Sequence, residues 1–474
     1  MDQSAHLQFS PATFDRAGSG VIQGLFTFGL FLLLYIVWLL PDVIVYVPFL
    51  LVGLVGAYVV FHYPLLNLSV VLSLFVLIVD FEEGIQIREV FYGLYYLSFL
   101  THWFVTRLFI RRQVVFQRFE DKILIVFLFL VTISLFVTLL FGGTLSAARG
   151  EWISLSLLAF YFPIREAITE YRHGLMVILI VIAWIGFFVL IRNVFMYREI
   201  LLSATYAYQI THGRAVTNEG LLLVPAMLAL VFYLFSDGIT ARASLLIAFL
   251  FFLAGLILTQ SRGYWVAFLI GGGFLFLLVP RKYKVKLLST GFLAGGLILG
   301  LGIIFLGDFV LIVVSGLLDR FLSIGSASFA DISLINRFLE SKAVLAKIIQ
   351  NPILGYGMGV PYSVYDITYE LTVTKSFVHN GYIALWYKFG LWGLSMILLF
   401  FGFVMYRAYA VFRFDSGVTI ARVCCLGVLA CFAAFAVSAN TSNPFYNNDL
   451  MFIYAVLAGI AGGCYTLSCN RLTK

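Results

Sequence analysis

Apolar residues fall in long uninterrupted runs along this chain, and polar residues gather in the short stretches between them. Runs such as VIQGLFTFGLFLLLYIVWLL (21–40) and ILIVFLFLVTISLFVTLLF (123–141) reach the roughly 20 residues that a helix needs to cross the hydrocarbon of a bilayer. Comparable runs recur to the end of the chain, so the first is read as a span and not as a removable signal peptide. The pattern predicts an all-α polytopic membrane protein with about 14 transmembrane helices.

Charge gives these spans a direction. RRQVVFQRFEDK (111–122), RKYKVK (281–286) and the tail NRLTK (470–474) are basic, which places all three, and by parity both termini, on the cytoplasmic side. DFEEGIQ (80–86) and SANTSNPFYNND (438–449) then fall outside, and neither contains Lys or Arg. Parity requires one more crossing between residues 142 and 173. The available candidate is ISLSLLAFYFPI (153–164), short for a span, with a re-entrant or interfacial segment as the alternative.

Composition supports the same class. Of 474 residues, 62% are hydrophobic and 11% charged, where soluble domains carry about a quarter charged residues. The net charge of +7 sits in short connections, as the positive-inside rule expects, so it does not indicate a nucleic-acid partner. Cys424, Cys425, Cys431 and Cys464 lie inside apolar runs and Cys469 in the basic tail, with no disulfide framework or metal-ligand spacing.

Two outer segments are longer than connections need: residues 192–220 and about 308–389. They divide the chain into an N-terminal bundle (1–200), central spans (201–307), a large outer loop (308–389) and C-terminal spans (390–474). Within the loop, SLINRFLESKAVLAKIIQNP (333–352) predicts a helix. Leu334, Phe338, Leu345 and Ile349 recur at helical spacing, Ser333 is a candidate N-cap, and Asn351-Pro352 is a stop. Its charged face suits an amphipathic helix lying on the outer leaflet. Gly291 with Gly295, and Gly459 with Gly463, read as packing notches between helices.

The candidate chemistry is on the outer side. In SFVHNGYIALWYKFGLWGL (376–394), helical spacing lines up His379, Ile383, Trp386, Gly390 and Gly393 on one face, with the two glycines admitting a neighbouring helix. Arg214, Arg262 and Arg337 also face outward, against the topological bias. A guanidinium offers a planar fork of donors that matches phosphate oxygens, so the group suits a phosphate-bearing lipid; snorkelling anchors or ion pairs are the alternatives. PILGYGMGVP (352–361) follows a helix and not a strand, which favours a turn over a phosphate loop. Asp80, Glu82 and Glu83 form an outer acidic cluster that reads as a solvated loop, with a divalent-metal site as the alternative.

Arg262, separated by ten residues from Gly273, with Arg337 in the large loop, PILGYGMG, and the pair His379-Asn380 followed after nine residues by Gly390 and after two more by Gly393, together resemble the family of O-antigen ligases and polysaccharide polymerases. The resemblance covers about residues 200–410. It implies a glycosyltransferase of the bacterial inner membrane with its active site on the periplasmic face, acting in O-antigen or exopolysaccharide assembly. An undecaprenyl-pyrophosphate-linked glycan is then the donor, and a sugar hydroxyl on a lipid A core or a second lipid-linked repeat unit the acceptor. Other polysaccharide-assembly proteins are its expected partners.

Under that resemblance His379 is the base, Arg262 and Arg337 stabilise the departing pyrophosphate, and Arg214 and Asn380 bind substrate. No cofactor or metal is called for, and direct displacement inverts the anomeric centre. The asparagine-containing motif leans toward a ligase and the span count toward a polymerase. A flippase would place ionisable residues deep within helices or repeat its bundle, and a metal-dependent transferase would use the Asp80 cluster.

Overall fold

The structure, a computed structural model, describes residues 27, 47–78, 86–203, 218–306, 332–414 and 419–472. Arg214 and the acidic group Asp80, Glu82 and Glu83 lie outside the described residues. Contacts divide the chain into two units, residues 1–115 and 116–474.

In the first unit, α1 (Val47–His62) and α2 (Pro64–Ser73) form a pair bent by 113°. The bend has a local cause, because Tyr63 precedes a proline and takes the extended conformation that its ring imposes. A third helix, α3 (Ile87–Val105), supplies Tyr95, whose hydroxyl donates to the buried Asn67 Oδ1 at 2.6 Å.

The second unit begins with α4 (Phe119–Leu140), α5 (Leu145–Ser156), α6 (Tyr161–Glu170) and α7 (Gly174–Ser203). It continues through α8 (Glu219–Phe235), α9 (Ile239–Leu258), α10 (Arg262–Leu278), α11 (Arg281–Leu306) and α12 (Ile332–Ile348). A hairpin, β1 (Tyr362–Asp366) with β2 (Leu371–Lys375), precedes α13 (Gly381–Phe414), α14 (Ile420–Ser438) and α15 (Asn448–Leu472). Six described helices, α4, α7, α9, α13, α14 and α15, are long and apolar enough to cross a membrane, seven spans if the bent pair in the first unit counts as one. The protein is a mostly helical, multi-pass membrane protein, and 14 crossings are not reached within the described residues.

Burial separates wall from core. In the span of α15, 83% of the residues are buried, and in α14 72%, against 22% in α9 and 28% in α4. Small residues make that interior possible: a Cβ at Gly459 would come within 2.5 Å of Ile164 Cγ2, and one at Gly271 within 2.8 Å of the Ala430 carbonyl oxygen. Gly459 and Gly463 are therefore the notches expected of them, both receiving α6. Gly291 and Gly295 are not, since neither has an atom within 4 Å of an added Cβ.

Polar groups define the two ends of the second unit. At one end Arg118 donates to the Gly462 carbonyl at 3.1 Å and pairs with Thr466. There too Arg407 Nε meets Glu120 Oε1 at 3.1 Å and Arg165 pairs with Asp121. Arg118 and the C-terminal helix thus share an end of the second unit. At the opposite end Ser154 donates to the Tyr446 carbonyl at 2.8 Å, and Thr138 to that of Met358 at 2.7 Å. The segment 145–170, which includes the candidate crossing 153–164, runs from this end to the Arg118 end as α5, a short 3-10 turn (Leu157–Phe160) and α6, none of them long enough by itself to cross a membrane.

A buried ion pair fastens α5 to α13, with Lys388 Nζ 2.5 Å from Glu151 Oε1 and both side chains nearly inaccessible. Removing one partner strands the other charge, so Lys388→Met should cost about 3–5 kcal/mol. Adding Glu151→Gln should recover most of that loss. Thermal midpoints of the purified single and double variants check both statements.

The loop domain departs from the all-helical expectation. Only one amphipathic helix, α12, lies among its described residues, and the antiparallel hairpin pairs Tyr362 with Lys375 and Asp366 with Leu371. α12 starts one residue before Ser333, which is therefore inside it and not its cap, and it ends before Asn351-Pro352 as expected. Two faces of α12 are used. Val344 and Ile348 pack with Tyr362, Val364, Val378, Ala384 and Tyr387, whereas Phe338 and Ile349 of the predicted stripe remain 69% and 78% exposed.

Asp366 ties the hairpin together and to α12. Lys375 Nζ donates to it at 2.8 Å, the Thr368 amide at 3.0 Å and Asn336 Nδ2 at 2.9 Å. The Lys375 hydrogen bond foremost holds its carboxyl below the ordinary value. A lowered folded pKa gives support that is complete above the unfolded value and lost as pH falls through the folded one. The hairpin should therefore loosen below about pH 4. Hydrogen exchange at residues 362–375, corrected for intrinsic rates, should show this, and Asp366→Asn should abolish the pH dependence.

Candidate active site

His379 lies just ahead of α13, where the chain turns out of the hairpin. Its imidazole Nδ1 is 2.9 Å from Glu340 Oε2 and 3.1 Å from Oε1, and its backbone N–H donates to Glu340 Oε1 at 2.5 Å. Glu340 is buried on α12 and the His379 side chain is 36% exposed, so the carboxylate is the floor of the site and the imidazole its rim. The Phe377 ring meets the imidazole edge-on at 4.9 Å, and Tyr446 packs against Phe377 at 5.0 Å.

Asn380 caps α13. Its Oδ1 accepts from the Ile383 N–H at 3.1 Å, satisfying an N–H left without an intrahelical partner in the first turn. Its Nδ2 donates to the Asn440 carbonyl at 3.3 Å. The next residue, Gly381, donates its N–H to the Ala439 carbonyl at 2.8 Å.

The same turn, residues 439–442, receives Arg337 and adjoins the start of α10. Arg337 Nη1 donates to the Thr441 carbonyl at 2.9 Å. Arg262 opens α10, and its neighbours abut the turn: an added Cβ at Gly263 would lie 3.3 Å from Thr441 Oγ1, and the Tyr264 hydroxyl bonds Ser442. Arg337 and Glu340 are three residues apart on α12, hence on one face. One helical turn thus anchors a guanidinium and the carboxylate that holds the imidazole. Arg337 and Asn380 thus both bond the short connection between α14 and α15, which the start of α10 adjoins, and His379 is the residue next to Asn380.

Gly390 does something different from the expected seam, whereas Gly393 does face a neighbouring helix, an added Cβ lying 3.4 Å from Leu130 Cδ2 of α4. α13 breaks at Gly390, whose backbone is left-handed at φ 64° and ψ −170°, and the segment that approaches it is the turn 352–357, not another helix. Trp386 Nε1 donates to the Pro352 carbonyl at 2.9 Å, as does the Leu391 N–H. The amides of Tyr356 and Gly357 donate to the Tyr387 and Lys388 carbonyls, each at 2.9 Å. Gly355, Gly357 and Gly359 all have positive φ. PILGYGMG is therefore a turn that occupies the carbonyls freed by the break.

Glu340 and the 439–442 turn were not singled out by the sequence. Glu340 carried a signal, since it shares a face with Val344 and Ile348 at i+4 and i+8, an acid on an apolar face. Arg192 also lies outside the expected set; its guanidinium donates to Asn218 Oδ1 at 2.6 Å, at the start of α8.

Arg337, Asn380 and the start of α10 thus meet at one connection of a mostly helical, multi-pass membrane protein. Residues 247–398 match the family model described as O-antigen ligase, a stretch that contains Arg262, Arg337, His379, Asn380, Gly390 and Gly393 and so makes this region O-antigen ligase-like. A search of curated proteins finds no match.

Proposed function

We propose that the protein is a glycosyltransferase of the O-antigen ligase and polymerase type, working at the periplasmic face of the bacterial inner membrane. It transfers a glycan from undecaprenyl pyrophosphate to a sugar hydroxyl during assembly of O-antigen or exopolysaccharide. The observation that carries this reading is the convergence of Arg337, the Arg262 end of α10 and the His379-Asn380 pair on residues 439–442.

The residues divide the chemistry between them. His379 takes the proton from the acceptor hydroxyl as its oxygen bonds to the anomeric carbon. The bond from that carbon to the pyrophosphate oxygen breaks, and its electron pair leaves with the lipid pyrophosphate. Arg262 and Arg337 stabilise the charge that develops there, as a metal does in other transferases. Arg214 is a third contributor to pyrophosphate binding, and Asn380 orients the acceptor side through the helix it caps. Attack opposite the leaving group inverts the anomeric centre, with no metal required.

Ligase and polymerase need the same constellation and differ in acceptor. Purified protein should be given lipid-linked repeat units, with and without lipid A core and without added divalent ion. A ladder from repeat units alone identifies a polymerase, and product only with core identifies a ligase. Dependence on added divalent ion selects a metal-dependent transferase. No covalent product under any condition, with lipid-linked substrate crossing the bilayer instead, selects a flippase and overturns the proposal.

A further inference from the structure

We infer that Glu340 is a positioning residue for His379, fixing which imidazole nitrogen carries the proton and which faces the acceptor; the inference rests on the reading of His379 as the base. A neutral imidazole has one donor nitrogen and one acceptor nitrogen, and the partner of one decides the other. Nδ1 is 2.9 Å from a carboxylate oxygen, and a carboxylate only accepts, so Nδ1 holds the hydrogen. The lone pair is then on Nε2. With the floor of the site occupied by Glu340 and the ring partly exposed, Nε2 is the nitrogen presented to an acceptor hydroxyl.

The contacts exceed what a passive tie needs. Glu340 accepts from the His379 backbone N–H and from its ring, so one carboxylate fixes both the main chain and the ring rotation. The Phe377 ring packs against the imidazole in a T-shaped arrangement, centroids 4.9 Å apart. Tyr362, whose hydroxyl donates to the Phe377 carbonyl at 2.5 Å, is pushed up in pKa by burial first and by the Glu340 carboxylate second, so it stays neutral. Glu340 is buried on a helix face otherwise made of Val344 and Ile348. A buried carboxylate is costly unless hydrogen-bonded or paired.

A charge device explains why that cost is carried. When Nε2 takes the acceptor proton the imidazole becomes a cation, with one hydrogen on each nitrogen. The adjacent carboxylate stabilises that cation only once it forms, which makes the interaction stronger in the transition state than before it. The proton on Nδ1 stays where it is, and the proton on Nε2 passes to solvent after the glycan has left.

A double-mutant cycle in the transfer assay tests this, with wild type, Glu340→Gln, His379→Ala and the combined variant given the lipid-linked repeat unit and its acceptor. Glutamine still accepts from the backbone N–H but carries no charge. The expected result is a kcat lowered about 10- to 100-fold with KM little changed, within the range of a general base itself. In the His379→Ala background the same substitution should cost nothing further. An equal loss in both backgrounds makes Glu340 merely structural and overturns the inference. So does full activity of Glu340→Gln with His379→Ala inactive, a result that leaves the base assignment standing. Full activity of His379→Ala overturns both. Nitrogen-15 NMR of histidine-labelled wild type, with the His379 signal assigned by its loss in His379→Gln, asks the question without altering Glu340. A neutral ring protonated at Nδ1 is expected, and one protonated at Nε2 overturns the inference.

Discussion

Replacing His379 with alanine should lower glycan transfer by about 10²- to 10⁴-fold, the contribution of a positioned general base, while leaving the protein folded. The fold should survive because the backbone N–H of residue 379 still reaches Glu340 and because Asn380, not His379, caps α13. The lost ring contributes only its edge contact with Phe377 and its bond to the carboxylate. Turnover of purified variant, read alongside its thermal midpoint, separates lost chemistry from lost structure. Activity within a few-fold of wild type in a folded variant would remove His379 from the reaction.

Gly390→Ala should be the most damaging change of a single methyl group, with a loss on the order of 4 kcal/mol or failure to accumulate in the membrane. The backbone at Gly390 (φ 64°, ψ −170°) lies in a region open essentially to glycine alone. An added Cβ would also overlap the Ile353 carbonyl, a main-chain group that cannot rotate aside. Gly402→Ala, twelve residues further along the same helix, is the control, because nothing lies within 4 Å of its added Cβ. Detergent-solubilised size-exclusion profiles after heating should separate the two variants. Equal midpoints would show that the break at Gly390 does not depend on glycine.

The sequence made some of this legible and hid the rest for physical reasons. Apolar runs mark helices whatever they pack against, so α4, α7, α13 and α15 were readable one by one. The stop of α12 was readable because Asn351-Pro352 is a local signal. The candidate crossing at 153–164 could be argued only from parity, since α5 and α6 meet there through a 3-10 turn and neither has the length of a span. The hairpin was missed although Tyr362 and Val364 alternate with Ser363 and Tyr365, because the helix preceding it drew the whole loop toward an all-helical reading.

Within the site, the residues with distinctive chemistry were found and their supports were not. His379 and Arg262 stand out as polar groups at the ends of apolar segments, and Arg337 as a cation within the amphipathic helix α12. Glu340 looks in sequence like any acid on an amphipathic helix, and its role depends on a contact 39 residues away. The turn 439–442 offers backbone carbonyls to Arg337 and Asn380, and every residue has a carbonyl. Gly390, unlike Gly393, was recognised for the wrong partner, because close approach is encoded there but the identity of what approaches is not.

The break at Gly390 also accounts for a number. Asn380 pins the start of the helix and Gly390 its end, and both are tied to the loop, through Glu340 beside the start and through Pro352 to Gly355 beside the end. The nine residues between them are a ruler of fixed length held at both tips. One residue more would rotate the capped end by about 100° and shift it by about 1.5 Å along the axis, swinging the imidazole off its carboxylate while every side chain in the motif remained present. What the spacing preserves is the angular phase between the hinge and the imidazole.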